Sequence, residues 1–258
     1  WLKLRVVQDS KPRMQVDPKL ALAEQGDLTA LQALPHDDLQ QVVKAKDDDA
    51  RTAFHRACAA GHVEVARFLL EQGADVLCCD DGGWTPLHSS SSKGDAAVVE
   101  LLLENRAEIN AVTEAGVTSI HFAASRGRVD VLQALLTAGA KKNVRDKHRS
   151  TPLIRAAGTG QTEALRLLLN AKADARLADA VGDNALHASI NGQHIGACEV
   201  LMACDVAEEL MLEANQDKKR PADLLLELQP QEMRDTLTSV WRRRGERSLP
   251  STLGEPQM

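Results

Sequence analysis

The chain has 258 residues, of which 43% are hydrophobic but only 2% aromatic, and its formal net charge is −6. With three Trp, three Phe and no Tyr, Ala and Leu must fill the core, which suits close-set helices better than a β-sandwich. The negative charge gives no reason to expect binding to nucleic acid or a membrane. No apolar run is long enough to predict a transmembrane helix, and the charged start WLKLRVVQDSKPR does not predict a signal peptide.

The first part of the chain precedes a repeated pattern. Residues 1–18 match no later segment and are predicted to be a flexible leader. The stretch PKLALAEQGDLTALQAL (18–34) predicts a pair of helices broken at Gly26-Asp27. Because an array needs a polar outer face at its end, residues 19–50 are predicted to form an N-terminal cap repeat.

Residues 51–218 are predicted to form five phased repeats. The first position of each repeat lies 33 residues after the last, at Thr52, Thr85, Thr118, Thr151 and Asn184. Three positions later stand His55, His88, His121, Ile154 and His187. A glycine follows at Gly61, Gly94, Gly127 and Gly160, and one residue early at Gly192. Five copies without drift in length identify an array.

The repeated residue types predict the local structure. The Thr caps a first helix, Pro at the next position presets its first turn, and the glycine ends it. A second helix with leucines at helical spacing follows. The stretch GADVLCCDDGG after it is rich in turn residues, and we expect it to project as a finger towards the next repeat.

The C-terminal part returns to the pattern three residues late. KRPADLLLEL (219–228) has Asp223 where the histidine would be, and Pro230 opens a last helix with Met233, Leu237 and Trp241 on one face. Residues 219–244 are therefore predicted to be a C-terminal cap repeat, which brings the array to seven helix pairs. Residues 245–258 are predicted to be a flexible tail.

The pattern resembles the ankyrin-repeat family, whose repeats begin T-P-L-H-x-A; here TPLHSS begins at Thr85. The resemblance implies an all-α solenoid of about seven helix pairs with short β-hairpin-like fingers. Such solenoids bind proteins on the concave face formed by fingers and first helices. We expect a monomer when free, with a protein partner and no nucleic acid or membrane partner.

The histidine and four serines at residues 88–92 raise the alternative of a hydrolase, but the repeats favour a scaffold. His88 shares its slot with three other histidines that no serine follows, so we expect it to bond the backbone turn before the next repeat. Ser90 and Ser91 fill slots that require small side chains, whereas Ser89 and Ser92 are expected to be more exposed. Without a nucleophile elbow, a phosphate loop or a metal cluster, the chain is predicted not to be an enzyme.

The cysteines predict neither a disulfide framework nor a metal site. Their number is odd and no Cys-x-x-Cys spacing occurs among Cys58, Cys78, Cys79, Cys198 and Cys204. A reduced, intracellular protein is the simplest interpretation. Zinc sites usually need two ligand pairs at set spacing, and Cys78-Cys79 has no second pair. We therefore expect neither a metal nor a cofactor.

Charged and aromatic residues in variable slots are the candidate partner-binding site. Arginines at finger ends and on first helices, with aspartates at finger tips, suit charge-paired recognition of a protein surface. Trp84 occupies a slot that holds different residue types in the other repeats, so packing does not require a tryptophan there. We therefore expect a surface tryptophan and a binding hot spot. The candidates are Asp49, Arg51, Arg56, Asp80, Asp81, Trp84, Arg126 and Arg155.

One stretch resembles a narrower family. RTAFHRACAAGHVEVARFLLEQGADVLCCDDGGWTPLH (51–88) is similar to the gankyrin family, ankyrin-repeat assembly chaperones of the proteasome regulatory particle. The resemblance implies a protein of the cytoplasm and nucleus whose concave face binds the C-terminal helical domain of a proteasomal ATPase. The family's charged contact positions match Asp49, Arg51, Asp81 and Arg126, with Trp84 beside them.

The chain departs from that family in the fifth repeat. SINGQHIG (189–196) has neither the family's acidic cluster nor its Leu-x-Cys-x-Glu motif for binding retinoblastoma protein. An alternative therefore stays open, in which the chain is an ankyrin-repeat regulator or adaptor of another partner, such as a kinase or a transcription factor.

Overall fold

The computed structural model describes residues 18–228 and 231–243. The predicted leader and tail lie outside these residues, apart from residue 18, and so does Pro230. The described residues form sixteen helices. The first three precede the repeats and are α1 (Pro18–Gln25), α2 (Leu28–Gln32) and α3 (His36–Lys44).

The five phased repeats each contribute two helices. In chain order these are α4 (Ala53–Ala60), α5 (Val63–Glu71), α6 (Pro86–Lys93), α7 (Ala96–Glu104), α8 (Ser119–Ser125), α9 (Val129–Thr137), α10 (Pro152–Gly158), α11 (Thr162–Asn170), α12 (Ala185–Asn191) and α13 (Ile195–Met202). The C-terminal helices are α14 (Ala207–Leu212), α15 (Pro221–Glu227) and α16 (Gln231–Arg243). Leaving α3 and α14 aside, the described residues form the seven predicted helix pairs.

Four of the five phased repeats begin with the predicted side-chain cap, and in the third the Thr118 N–H and hydroxyl instead contact His121 Nδ1. The Thr52, Thr85 and Thr151 side chains accept a hydrogen bond from the backbone N–H three residues on, and Asn184 does the same. Such a bond satisfies one of the backbone donors that a helix start leaves free, and its loss costs about 1 kcal/mol. The caps therefore fix where these first helices begin.

The repeated histidines tie each repeat to the next. In His88, Nδ1 accepts from the Thr85 N–H at 3.0 Å, while Nε2 donates to the Ala111 carbonyl at 3.0 Å. His55, His121 and His187 make the same pair of bonds. Their expected scaffold role is confirmed. Burial lowers the pKa of His88 and lowers that of His121 to about 4, so these two rings are neutral near pH 7.

The predicted glycine stop is confirmed in the first two repeats, where Gly61 and Gly94 lie in the left-handed region with φ of 87° and 98°. In the fifth repeat Gly192 is right-handed, with φ −77°. The next residue, Gln193, takes the left-handed position with φ 57°. The turn therefore keeps its place in the repeat although the glycine comes one residue early. A non-glycine residue, Gln193, adopts the left-handed conformation instead.

The first and second helices of the repeats form two layers. The inner layer is α1, α4, α6, α8, α10, α12 and α15, each packed on the next, and the outer layer is α2, α5, α7, α9, α11, α13 and α16. One continuous core lies between them, built mainly of buried Ala, Leu and Val. Small side chains on the inner helices, such as Ala123 and Ala156, are wholly buried and let neighbouring helices approach closely.

The fingers are turns joined into a row by the backbone. In the first two, an aspartate side chain closes the turn: Asp80 Oδ1 accepts from the N–H groups of Gly82 and Trp84 at 2.9 and 2.8 Å. Each tip also donates a backbone hydrogen bond to the tip before it. The bonds run from Asp81 to Asp49, Glu114 to Gly82, Lys147 to Ala115, Ala180 to His148 and Gln216 to Val181, at 2.8–3.1 Å.

Some expectations from the sequence need correction. Helices α3 and α14 were not expected; each lies between a helix pair and the next repeat. The predicted hairpin-like character of the fingers needs no correction, since isolated antiparallel bridges join Lys46 to Thr52 and Ala178 to Asn184. Ser92 is buried, with 8% of its surface exposed. The expectation that it is exposed was wrong.

Candidate protein-binding face

A groove of about 660 Å³ opens on the inner layer between the N-terminal cap and the second repeat. Four of the predicted site residues line it, namely Arg51, Arg56, Asp80 and Trp84. The finger ends contribute Arg51, Asp80 and Trp84, and the inner helices contribute Arg56 and three further residues: Glu24, Ser89 and Lys93. The structure thus brings half of the predicted site residues into one concave surface.

The arginines at this groove are held by the first finger. Arg51 Nε lies 3.1 Å from Asp47 Oδ2 and its Nη2 lies 2.6 Å from Asp49 Oδ2. Arg56 bonds both Asp47 and Glu24 at 2.5 Å. The Arg56 side chain is only 10% exposed, against 44% for Arg51. Arg56 therefore stabilises the first finger, whereas Arg51 presents its charge to solvent.

Asp47 is the centre of this network, although the sequence analysis did not single it out. Its Oδ1 accepts from the Asp49 and Arg51 N–H groups at 3.0 and 2.8 Å. Burial alone would raise the pKa of this carboxyl, but hydrogen bonds from the Arg51 backbone and the Arg56 guanidinium outweigh burial and lower the pKa. The Asp47 carboxylate is therefore ionised at neutral pH and keeps both arginines in place.

Trp84 packs against an aromatic residue of the next repeat. Its ring centroid lies 4.4 Å from that of Phe122, with the planes tilted by 38°. The expectation that packing does not call for Trp84 was therefore wrong. Both rings remain half-buried, so the pair forms an apolar strip on the inner layer. Aromatic pairs of this kind are rigid and suit the centre of a protein interface.

The predicted acidic residues differ in their roles. Asp80 closes the second finger with its side chain, as described above, and so is needed by the scaffold. Asp49 and Asp81 lie exposed at adjacent finger tips and are joined by a backbone bond from the Asp81 N–H to the Asp49 carbonyl at 3.0 Å. Among the described residues, the Asp81 carboxylate makes no hydrogen bond or ion pair, unlike the carboxylates of Asp49 and Asp80.

Two exposed cations lie at the ends of adjacent inner helices. Lys93 is the last residue of α6, and Arg126 follows α8 directly, 33 positions later in the same slot of the repeat. Within the described part of the chain, neither side chain makes an ion pair. Lys93 was not predicted as a site residue; its slot in the repeat, one period before Arg126, was the available signal.

Arg155 resembles Arg56 rather than Arg126. Its Nε and Nη2 lie 2.9 and 2.5 Å from Asp146 Oδ2, and the Asp146 side chain is fully buried. Burial would raise the pKa of Asp146, but the Arg155 guanidinium and the Ser150 N–H lower it. The fourth finger is therefore closed by a buried carboxylate and its arginine. Arg155 lies outside the groove lined by Arg51 and Trp84.

The described residues offer no group of three or more His, Cys, Asp or Glu side chains placed to hold a metal ion. The Cys78 thiol lies 3.4 Å from His55 Nδ1, but burial raises the pKa of Cys78 to about 11, so the thiol is protonated at neutral pH. His88 uses both ring nitrogens in the scaffold bonds described above. In the described part of the chain, no helix is long and apolar enough to cross a membrane.

Comparisons with known proteins agree with this architecture. A family model described as ankyrin repeats (3 copies) matches residues 20–113 and 116–217. Because these ranges cover more than half of the chain, the chain belongs to the ankyrin-repeat family. Its repeats define a solenoid whose usual role is protein binding rather than catalysis.

A solved structure supports the same assignment. The crystal structure of the human ASB11 ankyrin repeat domain is 27% identical in sequence and superposes with a TM-score of 0.75. The match covers 87% of the present chain and 98% of that domain. A comparison with curated proteins finds no match.

Proposed function

We propose that the chain is a non-enzymatic scaffold that binds a partner protein along its inner layer, with the groove lined by Arg51 and Trp84 as the principal contact. The observation that carries this proposal is the groove itself. It combines the partly exposed Arg51, the half-buried Trp84 and the exposed Lys93 on one concave surface, and Lys93 makes no ion pair among the described residues. Arginine and tryptophan are the residue types that most often dominate binding energy at interfaces.

We further propose that the partner is the C-terminal helical domain of a proteasomal ATPase, which the chain would hold during assembly of the regulatory particle. The support is the resemblance of residues 51–88 to the gankyrin family. Of the family's contact positions, Asp49, Arg51 and Arg126 all carry exposed or partly exposed charges here. The protein would then act in the cytoplasm and nucleus.

The test is binding of the purified C-terminal domain of each proteasomal ATPase to the immobilised chain. The double variant Arg51→Glu/Arg126→Glu reverses two concave charges. We expect it to weaken binding of one such domain by at least about a hundredfold, because removing a buried interfacial charge partner typically costs 2 kcal/mol or more.

A matched control reverses charges on the outer layer. Arg67 on α5 and Arg166 on α11 are exposed, so Arg67→Glu/Arg166→Glu changes the net charge equally and should leave binding unchanged. Equal binding by both double variants would refute the concave site. Failure of every ATPase domain to bind the wild-type chain would refute the proposed partner.

A further inference from the structure

The fourth finger carries a concentration of positive charge that is unlike the rest of this acidic chain. We call residues 141–149, KKNVRDKHR, the basic finger. Four of its cations are exposed: Lys141, Arg145, Lys147 and Arg149. Its one carboxylate, Asp146, is buried and already paired with Arg155. The basic finger therefore presents uncompensated positive charge on a protein whose net charge is −6.

The preceding finger tips carry the opposite charge. In the slot of Lys147, the first three fingers have Asp48, Asp81 and Glu114, all exposed. The backbone bond from the Lys147 N–H to the Ala115 carbonyl, at 3.1 Å, places the basic tip directly beside the acidic tip of Glu114. Within the described part of the chain, neither Glu114 nor Lys147 makes an ion pair. The sign of the charge thus changes abruptly along one continuous row.

One of these cations occupies a position that disfavours it. The turn in each of the first five fingers places one residue in the left-handed region, and three of these residues are Gly83, Gly116 and Gly182, with φ of 72°, 72° and 85°. The first and fourth fingers have Ala50 and Arg149 in this position, with φ of 61° and 58°. A side chain in this conformation costs about 1 kcal/mol. Glycine would adopt this conformation without strain, so the geometry of the turn does not explain why an arginine is present.

We propose that the basic finger binds an acidic segment of a partner protein. The same partner presents basic side chains, elsewhere on its surface, to the acidic tips of the first three fingers. This inference rests on the proposed role as a protein-binding scaffold and defines the charge pattern of the partner. A nucleic acid fits less well, because its negative charge is uniform along its length and would meet Asp48, Asp81 and Glu114. A protein surface with an acidic part and a basic part is complementary both to the basic finger and to the acidic tips of the first three fingers.

The basic finger is tested with a fluorescein-labelled oligo-glutamate peptide, whose binding is followed by fluorescence anisotropy at an ionic strength of about 0.1 M, where the Debye length is about 10 Å. We expect the wild-type chain to bind this peptide. Lys147→Glu/Arg149→Glu should weaken binding at least about tenfold, because it replaces two attractive charges with two repulsive ones. The control Arg67→Glu/Arg166→Glu, with the same net charge, should change binding less than about twofold, since its sites lie on the outer layer and their charges are screened.

Three results would overturn the inference. Equal weakening by both double variants would mean that net charge alone attracts the peptide. Tighter binding of a short DNA duplex than of oligo-glutamate would identify a nucleic-acid site. A wild-type dimer in sedimentation analysis that Lys147→Glu/Arg149→Glu separates would make a second copy of this chain the occupant.

The outcome is separable from that of the proposed function. Oligo-glutamate binding needs no ATPase domain, and the Arg51→Glu/Arg126→Glu variant should keep it largely intact. Loss of ATPase binding in that variant with unchanged peptide binding would support both proposals. Unchanged peptide binding by Lys147→Glu/Arg149→Glu would remove the basic finger as a site and leave the concave groove untouched.

Discussion

The third and fourth fingers, residues 113–117 and 146–150, follow the same backbone course but are closed by different chemistry. Thr113 closes the third with one bond, from the Val117 N–H to its hydroxyl at 3.2 Å. Asp146 closes the fourth with two backbone bonds, at 2.8 and 2.9 Å, and an ion pair to Arg155. The residues at the repeated slots of an array fix its backbone shape. The number and strength of the bonds they make differ from one repeat to the next.

The exposed slots of the same two fingers differ more than the scaffold slots. Glu114 and Gly116 in the third finger correspond to Lys147 and Arg149 in the fourth. Charge is therefore set independently of backbone shape, which is how one fold can serve many partners. Of these two fingers, the one with the stronger side-chain support is also the one that holds a strained, exposed arginine.

The largest expected effect follows from removing the side chain that closes each finger. Asp146→Ala should lower the free energy of unfolding by about 3 kcal/mol, because it deletes a buried carboxylate and leaves Arg155 and two N–H groups without it. Thr113→Ala should cost only about 1 kcal/mol, the value of one neutral hydrogen bond. Urea denaturation measures both. Equal losses would show that the two turns are equally supported.

An intermediate effect is expected from acid. Burial lowers the pKa of His121 to about 4, so between pH 6.5 and 4 the unfolded chain binds a proton that the folded chain does not. The free energy of unfolding should therefore fall as the pH drops through this window, with His121 contributing about 2 kcal/mol by pH 5. The fourth repeat has Ile154 in this slot and contributes no such term.

The measurement is the free energy of unfolding at pH 7 and pH 5 for the wild type and for His121→Ile. The variant should show a smaller loss on acidification, although not zero, because the pKa values of His55 and His88 are also lowered by burial. A pH dependence identical to that of the wild type would contradict the neutral, buried state of His121.

The smallest expected effect concerns the left-handed position of each finger. Arg149→Gly should raise the free energy of unfolding by up to about 1 kcal/mol, since glycine adopts this conformation without strain. It should also weaken oligo-glutamate binding. The reciprocal change Gly116→Arg should destabilise, because its Cβ would lie 3.1 Å from the Lys147 nitrogen. Thermal unfolding checks both, and a destabilised Arg149→Gly variant would show that the arginine supports the turn.

The fold was predictable because it repeats. Thr, His and Gly recur at fixed slots and have the same role in most copies, so a pattern that occurs five times identifies the helix pairs. Helices α3 and α14 were not predicted, since each occurs where the period is interrupted. In these segments only local propensity was available, and packing against the adjacent repeats decides the conformation.

The candidate site was predictable only in part. Arg51 and Trp84 lie on the groove as expected, although Arg51 also pairs with Asp47 and Asp49. Arg56 and Arg155 are less exposed and pair with Asp47 and Asp146 within the chain. A signal for this pairing exists, because each arginine follows its aspartate by nine residues and no other repeat has both. The Trp84–Phe122 contact joins two repeats whose separation in space depends on helix packing, so spacing along the sequence could not reveal it.

The most direct test of the account is hydrogen exchange of the chain with and without a proteasomal ATPase C-terminal domain. Binding on the concave face should slow exchange in α4, α6, α8 and the first three fingers, and leave α5, α7 and α9 unchanged. Protection confined to these outer helices, or no protection with any ATPase domain, would contradict the proposed function.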